Sequence, residues 1–277
     1  MEQITFDDYI RNPTGSRNHV VGQRDLARAT YNEKYSKMLL KCAGNIGYLL
    51  WKEKSPAHLE ERYVIYIQMP SETIDLFKYD VFIDFTATDD VTKRINKLDD
   101  YYVRFFSNDP NFIYTYAYAF KKIGLLVPEC IPKISEKALK EPALKTNPNN
   151  LAGYIKSIYF AYLFMKTRGL FNKMMWINAA PIHELRNYVN SNIMDSDHKM
   201  IVLQQYSQLM RDKRKINDKT KLSSSDPDAI KHAASAVHHK VQMIKAVNKV
   251  EKEIASRHKP TAVHKISAIQ PIGKKGR

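Results

Sequence analysis

Cysteine is nearly absent from this chain of 277 residues: Cys42 and Cys130 are its only two. Two thiols are too few for a disulfide framework or a cysteine zinc cluster, which points to a reducing compartment. The 9 glycines are scattered and form no phosphate-binding loop, and neither a G-x-S-x-G elbow nor a local Cys-His pair occurs. No run reaches the roughly 18 apolar residues of a membrane span. The longest candidate, Ile155 to Met165, is short and contains Lys156. The N-terminal MEQITFDDYIRNPTG is acidic and lacks the basic-then-apolar order of a signal peptide. Acidic residues are sparse at the other end. Residues 211–277 hold 17 Lys and Arg against 6 Asp and Glu, so most of the +15 net charge lies there and the first 210 residues are nearly balanced.

With 44% hydrophobic and 11% aromatic residues, the chain can build a substantial core. Its densest stretch is YYVRFFSNDPNFIYTYAYAF, residues 101–120. Before Ser107-Asn108-Asp109-Pro110-Asn111, Tyr101, Val103 and Phe105 alternate with Tyr102, Arg104 and Phe106. After it, Tyr114, Tyr116, Tyr118 and Phe120 alternate with small or β-branched residues. Period two and turn chemistry predict two strands joined by a turn. Tyr63, Ile65, Ile67 and Met69 predict a further strand, as do Tyr79, Val81, Ile83 and Phe85. Four closely spaced strands between residues 60 and 122 favour antiparallel pairing. Phe82, Phe106 and Ile113 add apolar character to the second faces, so the sheet requires cover from a second sheet, from helices or from a partner.

The domain expectation is an α+β body over residues 1–210: an arm (1–20), a helical segment (21–54), a compact, mainly antiparallel β core (60–122) and helices (130–210). The arm contains Asn12-Pro13-Thr14-Gly15 between Arg11 and Arg17. Leu26, Tyr31, Tyr35, Met38, Leu39, Cys42, Ile46, Leu49 and Leu50 make the stripe of the first helical segment, interrupted by Gly44 and Gly47. Later helices are expected around 133–139, 153–166 and 181–189, and from Asp195 or Asp197 to Met210. From Met210 onward, RDKRKINDKTKLSSSDPD reads as a charged linker. Ser225 then caps a long basic amphipathic helix with Ile230, Ala233, Val237, Val241, Ile244, Val247, Val250 and Ile254 on its stripe, followed by a basic tail.

Candidate sites are few. His183-Glu184 resembles the start of an HExxH zinc helix, but Asn187 stands where the second imidazole is required. His232, His238 and His239 read as solvated helix positions. Asp80 and Asp84 share a strand face, and with Asp89-Asp90 or Asp99-Asp100 they suggest a Mg²⁺ site for phosphoryl chemistry. No base stands in register with them, and solubility or edge protection accounts for these acids more simply. No catalytic residue, metal or cofactor is therefore assigned. The contact candidates are basic: Arg211, Lys213, Arg214, Lys215, Lys240, Lys245, Lys249, Lys274, Lys275 and Arg277. With few aromatics after Tyr206, any nucleic-acid contact there is expected on phosphates.

The order of the Asn-Pro-Thr-Gly arm, Tyr79-Asp80-Val81-Phe82-Ile83-Asp84-Phe85, the 101–120 stretch and Pro-rich KEPALKTNPNN resembles uncharacterised structural proteins of tailed bacteriophages. That resemblance covers roughly residues 60–165 and includes no catalytic signature. It implies a virion protein assembled in the host cytoplasm, a minor neck, connector or tail component. Such a subunit would be homo-oligomeric, would meet other virion proteins and would place its basic extension near DNA. A nucleic-acid-binding accessory protein is the second expectation, and a Mg²⁺-dependent nuclease the third.

Overall fold

A computed structural model describes residues 4–11, 21–41, 46–53, 61–71, 77–87, 97–153 and 155–221. Its centre is a five-stranded sheet in the order β4-β3-β2-β1-β5. The strands are β1 (Tyr48–Lys52), β2 (Arg62–Pro70), β3 (Lys78–Thr86), β4 (Tyr102–Ser107) and β5 (Ala180–Pro181). The first four pair antiparallel, and β5 adds in parallel to β1 through Trp51↔Ala180. The α+β class and the largely antiparallel sheet are as the sequence implies.

The helices are α1 (Phe6–Arg11), α2 (Val21–Lys41), α3 (Ala117–Ile123), α4 (Glu136–Lys140), α5 (Lys156–Thr167), α6 (Leu185–Asn192) and α7 (Ser196–Lys221). They cover both faces of the sheet, so the second apolar rows are buried by helices. On one face, Ile65, Ile67, Val81, Ile83, Phe85, Val103 and Phe105 are buried. Phe6 and Tyr9 of α1 pack there, with Phe6–Phe105 and Tyr9–Phe105 ring centroids 5.4 and 4.5 Å apart. The other face buries Trp51, Val64, Tyr66, Phe82 and Phe106. Tyr188 of α6 lies 5.4 Å from Tyr66 and 5.1 Å from Trp51 there.

The outer edge of β4 is not left open. Val103 N–H donates to Ile4 O, Phe105 N–H donates to Leu125 O, and Phe105 O accepts from Val127 N–H. Short segments thus occupy the groups that would template another strand.

Three expectations are corrected. The run after Asn111 is helical: a π-helical stretch, Phe112–Tyr116, leads into α3, which ends at Gly124 with φ 79°. The sequence signals were there to read differently. Asp109 accepts the N–H of Asn111 through its side chain at 2.9 Å, and Pro110 opens the helical turn, a cap followed by proline. The buried positions Phe112, Ile113, Ala117 and Phe120 then follow a helical rather than an alternating spacing.

The second correction concerns the segment 21–54. Helix ends at Lys41, and Leu49 and Leu50, assigned above to its stripe, belong to β1, where they pair with Tyr66 and Ile65. Third, the part of the expected linker from Arg211 to Lys221 is the second half of α7, and its remainder, 222–228, lies outside the described residues. Residues 211–221 hold no Gly or Pro, Lys and Arg are good helix formers, and Gln208 donates to Asp212 one turn on at 3.1 Å. The helix and tail expected after Ser225, and the 12–20 part of the arm, lie outside the described residues.

Candidate functional site

Arg62, Asp80, Asp84 and Arg104 lie on the Tyr66 face of the sheet, among apolar neighbours. Alternation along β3 turns Asp80, Phe82 and Asp84 to this side, and the register places Arg104 of β4 opposite Asp84. Asp84 is fully buried. Arg62 Nε and Nη2 donate to its two oxygens at 3.0 and 2.9 Å. Arg104 Nη2 stands 2.8 Å from Asp84 Oδ2. The Arg62 guanidinium also donates from Nη1 and Nη2 to Glu129, both at 2.8 Å. Glu129 belongs to a 3₁₀ turn, Pro128–Lys133, so one arginine ties the middle of the sheet to the segment covering it.

Burial raises the proton affinity of Glu129, but hydrogen bonds and charge from Arg62 outweigh it, and its pKa lies below the ordinary value. Arg62 is raised despite its burial by those same two carboxylates. The neighbouring Cys130 thiol is fully buried, and burial pushes its pKa well up, which favours the neutral thiol.

Asp80 is buried four residues away. It accepts from Tyr66 Oη at 2.7 Å and from the Asn108 side-chain amide, while its own N–H donates to Asn108 Oδ1 at 2.8 Å. Lys199 of α7, also buried, brings Nζ to 3.6 Å from Asp80 Oδ2 and 4.8 Å from the Phe77 ring centroid. Burial, and secondarily Asp80, holds the Tyr66 phenol well above its usual range.

Asp80 and Asp84 are therefore not loop or edge acids, as the sequence suggested. Each is an inward position of an interior strand, committed to cations and hydrogen-bond donors within the chain. A Mg²⁺ ion would have to displace arginines from Asp84 and Lys199 from Asp80. Among the described residues no group of three His, Cys, Asp or Glu side chains is placed to hold a metal. Asp99 and Asp100 lie in a 3₁₀ turn against α1, away from both aspartates of β3, and Asp89-Asp90 are outside the described residues. His183 lies in the 3₁₀ turn Ile182–Glu184 and Asn187 in α6.

Of the basic contact candidates, Arg211 is exposed on α7, and Lys213, Arg214 and Lys215 continue that helix. Lys240, Lys245, Lys249, Lys274, Lys275 and Arg277 lie outside the described residues.

Among the described residues, exposed apolar side chains that the sequence reading missed gather at two places. Met174, Met175 and Ile177 are 79%, 45% and 76% exposed around the 3₁₀ turn Lys173–Trp176. At the far end of the sheet, Tyr114 and Ile201 are exposed beside Asp197, which accepts from Tyr114 Oη at 2.9 Å. The available signal for the first was the apolar run Met-Met-Trp-Ile directly after Lys173, outside any predicted strand or helix.

No protein-family model matches this chain, and no curated protein and no solved structure shows significant similarity to it.

Proposed function

We propose that this chain is a non-enzymatic structural subunit of a tailed-phage particle, repeating in a ring at the neck, connector or tail with other virion proteins. The observation that carries the reading is the continuity of α7. Lys199, Val202 and Tyr206 bury its first half against the body, and the same helix runs on through Arg211, Lys213, Arg214 and Lys215 to Lys221. The basic extension is thereby joined to the body without a break, as suits a subunit holding positive charge toward packaged DNA or an acidic neighbour. The resemblance of residues 60–165 to phage structural proteins supports the particle. Quantitative mass spectrometry of purified particles from the phage or host carrying the gene tests it. A fixed small copy number per particle is expected, and absence from particles overturns the reading.

A second reading, a nucleic-acid-binding accessory protein, is favoured by the exposed Arg211 at the head of the basic half of α7. It predicts DNA binding by the full chain that weakens steeply with salt and is lost on truncation after Met210, which removes the basic residues 211–277.

A further inference from the structure

We infer that copies of this chain associate head to tail, the Met174-Met175-Ile177 knob of one copy seating on the Tyr114-Ile201-Asp197 surface of the next. The contact supplies the assembly reading with its interface and rests on that reading for the repetition of copies.

The knob is held outward by its own turn. Trp176, between the exposed residues, is fully buried, and its Nε1 donates to Leu170 O at 2.8 Å. Asn172 accepts the N–H of Met174 at 2.9 Å, and Lys173 is tied to Glu61 at 2.6 Å. Three large apolar side chains are thus displayed on a pinned support, a cluster of the kind that marks an interaction surface. Methionines adapt to an irregular counter-surface. Lys166 and Arg168, exposed on the segment that leads from α5 to the knob, make that stretch of surface basic.

The second surface has the opposite charge and a similar apolar character. Tyr114, 40% exposed, and Ile201, 54% exposed, flank Asp197, whose carboxylate faces outward from the first turn of α7. Tyrosine is enriched at interfaces because it presents an apolar ring and a polar tip together.

The two surfaces lie at opposite ends of the sheet. Lys173 holds Glu61, which precedes β2. Asp197 is two residues from Lys199, which holds Asp80, and Asp80 pairs with Gln68 near the end of β2. Seven residues of strand separate Glu61 from Gln68, roughly 23 Å at about 3.3 Å per residue. Different but complementary surfaces at opposite ends of a rigid body generate a heterologous contact, which closes into a ring or extends as a filament.

Sedimentation velocity on nuclease-treated full-length protein at low salt tests this. Wild type is expected to associate with concentration. Met174→Glu with Ile177→Glu removes the knob, and Ile201→Glu spoils the seat. Each variant alone should associate at least tenfold more weakly, while an equimolar mixture of the two should form a dimer and nothing larger, since only one productive contact remains. A monomeric wild type overturns the inference. So does an Ile201→Glu protein that associates like wild type, which would indicate a self-matching knob or another interface. Should either variant lose its native circular dichroism, Arg168→Glu and Asp197→Lys replace them: each alone is expected to weaken association, and their mixture to restore it between alternating copies, with the native charge pair at one contact and the reversed pair at the other. Copy number in particles is a separate readout. Particles that contain the chain while these contacts fail leave the assembly reading standing and discard this interface.

Discussion

Lys199 places Nζ 3.6 Å from Asp80 Oδ2, and this buried ion pair fastens α7 to an interior strand of the sheet. The two partners are not equivalent. Asp80 also receives hydrogen bonds from Tyr66 and Asn108, whereas the ammonium of Lys199 has the Phe77 ring as its further neighbour. Asp80→Ala leaves a cation buried without its partner, and removing one member of a buried pair costs about 3–5 kcal/mol. Lys199→Met leaves the carboxylate with its two donors and is expected to cost less, roughly 1–2 kcal/mol. Urea unfolding of the two variants measures the difference. Equal losses would contradict this division of roles.

Glu129 makes a different prediction, through pH. Its folded pKa lies below the ordinary value of 4.5, because the Arg62 hydrogen bonds and charge overcome the effect of burial. The stability it contributes is present above the unfolded value and is lost as pH falls through the lower folded value. Glu129→Gln should therefore lower stability at neutral pH, by about 1.5–3 kcal/mol for charge-assisted bonds, and flatten the acid limb of the stability curve. Urea midpoints between pH 3 and 7 would show it. An unchanged acid limb would mean that Arg62 is satisfied by Asp84 alone.

Asp109 has the opposite sign. Burial raises its pKa, and neither the Asn111 N–H nor the Lys156 charge restores it. A carboxyl raised in the folded state contributes stability that is present below its unfolded value and lost as pH rises through the folded one. Asp109→Asn removes that loss while keeping an oxygen to accept the Asn111 N–H. The variant should equal or exceed wild type in stability at pH 7 and fall behind it at low pH. Thermal melts at both pH values check this, and a destabilised variant at pH 7 would sink the argument.

The sheet was largely legible in the sequence, because β2, β3 and β4 bury both faces and their β-branched and aromatic runs bear no other reading. The helix after Pro110 was not, since tyrosines at every second position imitate a strand and only the Asp-Pro cap betrays the helix. The meaning of Asp80 and Asp84 was half visible. Two acids inside an apolar run demand cations, but which cations depends on cross-strand register and on α7, more than a hundred residues away. Lys199 has no local feature that marks it. The knob was hidden for a related reason: in Lys173-Met174-Met175-Trp176-Ile177 the sequence does not say that only the tryptophan turns inward.

Gly153 offers the sharpest test of packing between the segment that precedes α5 and the π-helical stretch after β4. A Cβ built at this position would stand 2.1 Å from the Tyr116 ring, in the π-helical stretch that follows β4. The contact is one that real side chains do not make, so Tyr116 must move if Gly153 becomes alanine. Movement is restrained because Gly153 O also accepts the buried Tyr9 hydroxyl at 2.9 Å, and Tyr9 lies in the aromatic cluster with Phe105 and Phe120. Gly153→Ala should thus cost roughly 1–3 kcal/mol, the usual range for overpacking a filled core. Tyr116→Ala should relieve the clash, so that alanine at 153 costs much less in that background than in wild type. A double-mutant cycle on urea stability measures the coupling. Additive losses would show that the two residues do not share one space, and that the π-helical stretch is positioned by something other than the absence of a side chain at 153.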